Sequence, residues 1–167
     1  MHRLIARALP WLLAMPMLGT TAAAQLPVPK LSLAGGVSHY DFGTSGTSAL
    51  GALRLEIPLV SLVGEGSVAL FRPTIDGVAR TALIPEAQLQ WQFSPVLVRP
   101  YIGVGGGWIV ALSGPSPHPT NGTLSASAGV RVGIPFTPLT ARGEVRLRTM
   151  GSGTSRHATE LTLGASW

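Results

Sequence analysis

The stretch Glu86–Phe93, "EAQLQWQF", alternates four polar side chains (Glu86, Gln88, Gln90, Gln92) with four apolar ones (Ala87, Leu89, Trp91, Phe93). An extended strand separates these two sets onto opposite faces, because its side chains repeat with period 2, whereas a helix of period 3.6 would mix them. Which face meets water then decides the fold. A soluble sheet turns its apolar face into a core; a membrane barrel turns that face toward lipid and keeps the polar face inside.

The same alternation runs through most of the chain. In Leu124–Ile134 the residues Leu124, Ala126, Ala128, Val130, Val132 and Ile134 oppose Ser125, Ser127, Gly129, Arg131 and Gly133. In Leu139–Arg148 the residues Leu139, Ala141, Gly143, Val145 and Leu147 oppose Thr140, Arg142, Glu144, Arg146 and Arg148. Eight such segments are predicted, at about 30–42, 48–58, 62–72, 79–93, 98–112, 123–134, 139–150 and 156–167. The connections alternate too. Proline-marked turns at 58–61, 94–98 and 135–138 interleave with Gly-, Ser- and Thr-rich loops near 43–47, 73–78, 113–122 and 151–155. A meander of up and down strands places these two kinds at opposite rims, with short periplasmic turns and longer extracellular loops.

Composition narrows the setting. Residues 1–24 carry the parts of a secretory signal peptide: Arg3 and Arg7, the apolar run Leu9–Leu18, and Ala22-Ala23-Ala24 before a mature start at Gln25. The remaining 25–167 make one domain. Beyond residue 24 no apolar run is long enough for a transmembrane helix, which needs ~20 residues. Yet only 11% of the chain is charged, against ~25% in ordinary domains. With no cysteine, neither disulfides nor thiolate metal sites are available.

The polar faces hold Arg54, Glu56, Glu65, Glu86, Arg131, Arg142, Glu144, Arg146, Arg148 and Glu160, five charges of each sign, with Gln88 and Gln90 among them. Balance is what a narrow interior requires, since an unpaired buried charge costs several kcal/mol. The apolar faces carry more Leu, Val, Ile and Trp than an eight-stranded lumen holds. The glutamines of 86–93 therefore point inward, while Leu89, Trp91, Phe93, Trp108 and Trp167 face lipid or its interface. Trp91, Phe93, Tyr101, Phe136 and Trp167 fall at the turn rim, and Tyr40, Phe42, Phe71 and Trp108 at the loop rim, where aromatic girdles are expected. The predicted fold is all-β, an eight-stranded antiparallel up-and-down transmembrane β-barrel.

Two motifs carry a family likeness. "RPYIGVGGGW" at 99–108 is similar to a Pro-Tyr-x-Gly-x-Gly segment of small barrels, and the ending "ELTLGASW" at 160–167 alternates toward a terminal aromatic. On these the chain resembles the small eight-stranded outer-membrane barrels that include OmpA-type and OmpX-type transmembrane domains, over nearly all of 30–167. The resemblance implies a bacterial outer-membrane protein in contact with lipid and lipopolysaccharide. It also implies delivery through the barrel assembly machinery, which reads the last strand; Trp167 stands where phenylalanine is usual.

Chemistry-bearing patterns are sparse. Gly103, Gly105, Gly106 and Gly107 lack the following helix of a dinucleotide loop and instead suit close approach of large lumen side chains. His39, His118 and His157 have no ligand spacing, so no metal is expected. "RHATE" at 156–160 lacks the His-x-Ser motif of barrel-fold lipid A deacylases; with Ser155, His157, Thr159 and Glu160 nearby, a hydrolase would need hydrogen-bond geometry among them. Arg142, Arg146 and Arg148 are interrupted by Glu144 and face Glu160, which suggests lumen ion pairs rather than nucleic-acid binding. The expected role is structural, membrane-integrity or surface interaction, as a monomer without cofactor or catalysis. Alternatives are a narrow pore for small solutes and a secreted lipocalin-like ligand-binding barrel.

Overall fold

The computed structural model describes residues 28–93, 97–113, 120–151 and 155–167. The expected signal peptide and His118 lie outside them. Alternating sequence becomes alternating burial in eight long strands: β1 (Lys30–Asp41), β2 (Ser45–Leu59), β3 (Leu62–Phe71), β6 (Ala82–Gln92), β7 (Val98–Ala111), β8 (Thr120–Gly133), β9 (Thr140–Met150) and β10 (His157–Ser166). A two-residue pair, β4 (Thr74–Ile75) and β5 (Val78–Ala79), sits in the loop after β3. The long strands run from 10 to 15 residues, which meets the ~9–11 that a tilted strand needs to cross a bilayer.

These strands close in the order β1-β10-β9-β8-β7-β6-β3-β2. Closure joins the first strand to the last, in register from Ser32 opposite Ser166 to Asp41 opposite His157. Leu31 and Trp167 then exchange two backbone hydrogen bonds, 3.2 and 3.0 Å, at the end of the seam. A closed barrel leaves no strand edge unpaired, the condition for backbone in a hydrocarbon layer. The β6–β7 register skips Ile84 and Pro85, where proline has no N–H to donate.

Local chemistry moved three boundaries. β2 begins at Ser45 and β8 at Thr120, each three residues before the expected start, so the loops between them and their neighbours are shorter than predicted. β6 begins at Ala82 rather than 79, because Val78–Ala79 folds back on Thr74–Ile75. The turn of that hairpin is Asp76-Gly77, with φ of 50° and 79°; Asp-Gly is a favoured pair for left-handed two-residue turns.

The interior has two layers. Toward the loop rim, Tyr40, Phe42, Leu50, Phe71, Ile75, Ile84, Ile109 and Met150 form an apolar cluster. Toward the turn rim, where both ends of the described chain lie, the interior is polar and charged. The outer wall is the reverse: Leu53, Leu55, Val68, Leu89, Val104, Val145, Leu147, Leu161 and Leu163 are all exposed. An exposed apolar surface of this extent marks contact with another apolar phase.

Candidate functional site

Strand β9 organises the interior, since Arg142, Glu144, Arg146 and Arg148 occupy successive inward positions and are all buried. Glu144 is the hub. Its Oε1 accepts from Arg54 Nη1 and Arg146 Nε, each at 3.1 Å, and its Oε2 from Tyr101 Oη at 2.7 Å and from Arg142 Nη2. Arg54 also donates from Nη2 to Thr162 Oγ1 at 3.2 Å. Because β2, β7 and β9 are not neighbours in the barrel, these bonds span the lumen rather than follow its wall.

The other four carboxylates are paired in the same way. Glu65 accepts from Gln90 Nε2 at 3.0 Å, from Arg146 Nη2 at 3.1 Å and from Arg142 Nη1. Glu56 Oε1 accepts from Arg142 Nη1 at 3.0 Å, and Oε2 lies 3.2 Å from Arg131 Nε. Glu86 takes Arg146 Nη1 at 2.8 Å, Ser125 Oγ at 2.7 Å and Arg148 Nη1. Glu160 receives Arg148 through two nitrogens, Nε at 2.8 Å and Nη2 at 3.2 Å. Gln88 and Gln90 link the edges: Gln88 Oε1 accepts from Ser127 Oγ at 3.1 Å and from Gln90 Nε2, and Gln90 Oε1 from Arg131 Nη2. Burial of ten charges is tolerable when charges of opposite sign are paired, and every carboxylate here touches at least one guanidinium.

Above this layer, the aromatic rings expected in a lipid-facing girdle are inside. Tyr40 stacks on Phe42 with centroids 5.6 Å apart, and Phe71 meets both edge-on at 6.3 and 6.4 Å. The β4–β5 hairpin is fastened over them: Thr74 N donates to Tyr40 Oη at 2.9 Å, Asp76 N to the Phe42 carbonyl at 3.3 Å, and Ile75 is buried. Arg156 and Asp76 form an exposed ion pair across the top at 2.9 Å. Tyr101 is likewise inside rather than at the turn rim, with the Arg131 and Arg142 guanidinium carbons 4.2 and 5.1 Å from its ring centroid. Parity explains all four corrections. Tyr40 shares the inward face of β1 with Ser32 and Ser38, and Tyr101 that of β7 with Gly103. Trp91, Phe93, Trp108, Phe136, Trp167 and Leu89 lie on the exposed side.

Solved structures share this fold. Neisserial surface protein A (NspA) aligns with TM-score 0.69 and 14% identity, over 83% of this chain and 95% of that one. The N-terminal β-barrel domain of Pseudomonas aeruginosa OprF aligns at 0.58 and 13%, over 83% and 97%. Ail, the attachment invasion locus protein of Yersinia pestis, aligns at 0.54 and 14%, over 83% and 95%. This chain has the fold of the small eight-stranded outer-membrane barrels. No family model matches the sequence, and no curated protein does.

Within this outer-membrane barrel fold the remaining motifs find plain places. A Cβ at Gly103 would stand 2.7 Å from Gln90 Cγ, and one at Gly129 2.5 Å from Tyr101 Oη, so these glycines make room for lumen side chains. His157 is exposed on the outer face of β10 while Glu160 is buried inside and engaged by Arg148, so the two do not share a site. Among the described residues no three His, Asp or Glu side chains converge as metal ligands. Ser125, Ser127 and Thr162 join the network without having been counted in it from sequence, and Tyr101 joins it although sequence placed it at the turn rim. Each shares a strand face with a charged or glutamine-contacting residue, and that parity is the signal that finds them.

Proposed function

We propose that this chain is a bacterial outer-membrane protein with a non-catalytic, structural or surface-interaction role. Residues 1–24 act as its signal peptide, and 25–167 form a monomeric barrel held shut by the Arg/Glu/Gln network. One observation carries the reading: charge is inside and apolar surface outside, the inverse of a soluble barrel. A lipocalin-like protein would keep its apolar face around a ligand cavity; here Leu89, Val104 and Leu163 are on the exterior. The partners of that exterior are the lipids of the outer membrane, with lipopolysaccharide around the loop rim. The alternating strand β10, ending at Trp167, is the segment offered to the barrel assembly machinery.

Two measurements test this. Mature protein refolded into detergent should migrate faster on a gel before boiling than after, because folded membrane barrels resist SDS until heated. Absence of the shift, with the protein soluble once detergent is withdrawn, would overturn the membrane assignment. In planar bilayers the closed lumen should pass no current. Current steps altered by Arg142→Ala or Arg146→Ala would replace the structural role with that of a narrow pore.

A further inference from the structure

At the turn rim a cavity of about 140 Å³ remains that the central network does not fill. Its lining brings Lys30, Arg99 and Arg131 together with a single acid, Glu56. That acid is committed to Arg142 and Arg131. The other six acidic side chains of the chain stand elsewhere: Glu65, Glu86, Glu144 and Glu160 deeper in the network, Asp41 and Asp76 at the loop rim. The mouth therefore carries an excess of positive side chains.

A second observation points to a ligand. Arg131 is 2% exposed, yet its Nη1 has no hydrogen-bond partner among the described residues. A buried guanidinium N–H without an acceptor forfeits its hydration with nothing in return. Strand register sharpens this, because Arg99, Arg131 and Arg142 are cross-strand partners in one row over β7, β8 and β9. Like charges placed opposite each other on adjacent strands repel, and an anion seated beside them would offset both costs.

We propose that this cavity binds a small oxyanion of the phosphate class. Arg131 Nη1 supplies the buried donor, Lys30 and Arg99 supply charge from β1 and β7, and Thr140 and Ser166 line the cavity with hydroxyls from β9 and β10. Donors arriving from five strands exceed what the two coplanar oxygens of a carboxylate accept, and suit the four oxygens of a tetrahedral anion. The source is a free phosphate or the phosphate of a lipid headgroup at the same rim.

The test is calorimetric titration of inorganic phosphate into the refolded barrel in dodecyl maltoside, which carries no phosphate, against chloride at matched ionic strength. Saturable one-to-one binding is expected with phosphate and not with chloride. The double variant Lys30→Gln/Arg99→Gln should weaken it at least tenfold, and Arg131→Gln should abolish it. The double variant leaves the central ten charges intact, so its heat-dependent gel shift verifies that it is folded. A parallel titration with dihexanoyl phosphatidic acid separates the sources: binding of phosphate supports a free ion, and binding of the lipid alone, lost in the double variant, supports a headgroup. Failure of both ligands to bind, or undiminished binding by the folded double variant, overturns the proposal.

Discussion

Arg54 and Glu144 meet across the lumen at 3.1 Å, 90 residues apart in sequence and on strands with two others between them on the shorter way round the barrel. This pair exists only once β1 and β10 have closed the barrel, so the central ionic layer reports closure rather than local strand pairing. Glu144 gathers three guanidiniums and the Tyr101 hydroxyl. Its loss strands several buried cations at once.

Replacing Glu144 by Ala should therefore destabilise the folded barrel by about 3–5 kcal/mol, the range for breaking a buried pair from one side. Tyr101→Phe removes a donor to Glu144 and an acceptor for Arg142 Nε but leaves the charges matched, and should cost about 1–3 kcal/mol. Urea unfolding of the refolded protein in detergent, read by the gel shift, checks the order. Equal losses for the two variants would remove Glu144 from its place as hub.

The Asp76–Arg156 pair has the same chemistry and a similar distance, 2.9 Å, but is 61% and 42% exposed. Water screens it, and exposed pairs contribute about 0–1 kcal/mol. Arg156→Ala should leave the unfolding midpoint nearly unchanged, with any small loss vanishing in high salt. A large loss would mean that the β4–β5 hairpin, rather than the aromatic rings beneath it, holds the loop rim together.

Strand number, order and facing were legible in the sequence because period-2 alternation is a local property that closure only reinforces. Leu139–Arg148 shows it, since each residue on its polar face became an interior residue of β9. What sequence left open was partner choice across the lumen: nothing local says that Arg146 reaches Glu65 and Glu86 while Arg54 reaches Glu144. The aromatic residues were misread for a different reason. A general preference of rings for bilayer interfaces was set against strand parity at Tyr40, Phe71 and Tyr101, and parity prevailed, because a one-residue slip would turn every side chain of the strand to the wrong phase.

The exposed apolar wall should show a depth dependence that a soluble surface would not. Val145 lies midway along β9 and faces outward, and Phe136 protrudes fully from the turn before it. Val145→Arg places a guanidinium in hydrocarbon and should cost about 2–4 kcal/mol, whereas Phe136→Arg, near the interface, should cost about 0–1 kcal/mol. Unfolding in lipid bilayers measures both. Equal tolerance of arginine at the two positions would place the β9 exterior in water.

Phe42 tests whether the two interior layers are separable. Fully buried, it stacks on Tyr40 and meets Phe71 edge-on, so Phe42→Ala leaves a cavity in the apolar layer and should cost about 3–5 kcal/mol. The ion pairs of the arginine layer beneath run among Arg54, Arg131, Arg142, Arg146, Arg148 and the five glutamates. The variant should therefore unfold at lower urea while passing no current in planar bilayers. Current steps in Phe42→Ala, absent from the wild type, would make the aromatic layer the barrier and reduce the ionic layer to a lining that ions traverse. Stability and conductance measured on one variant thus assign the closure of the lumen to one layer or the other.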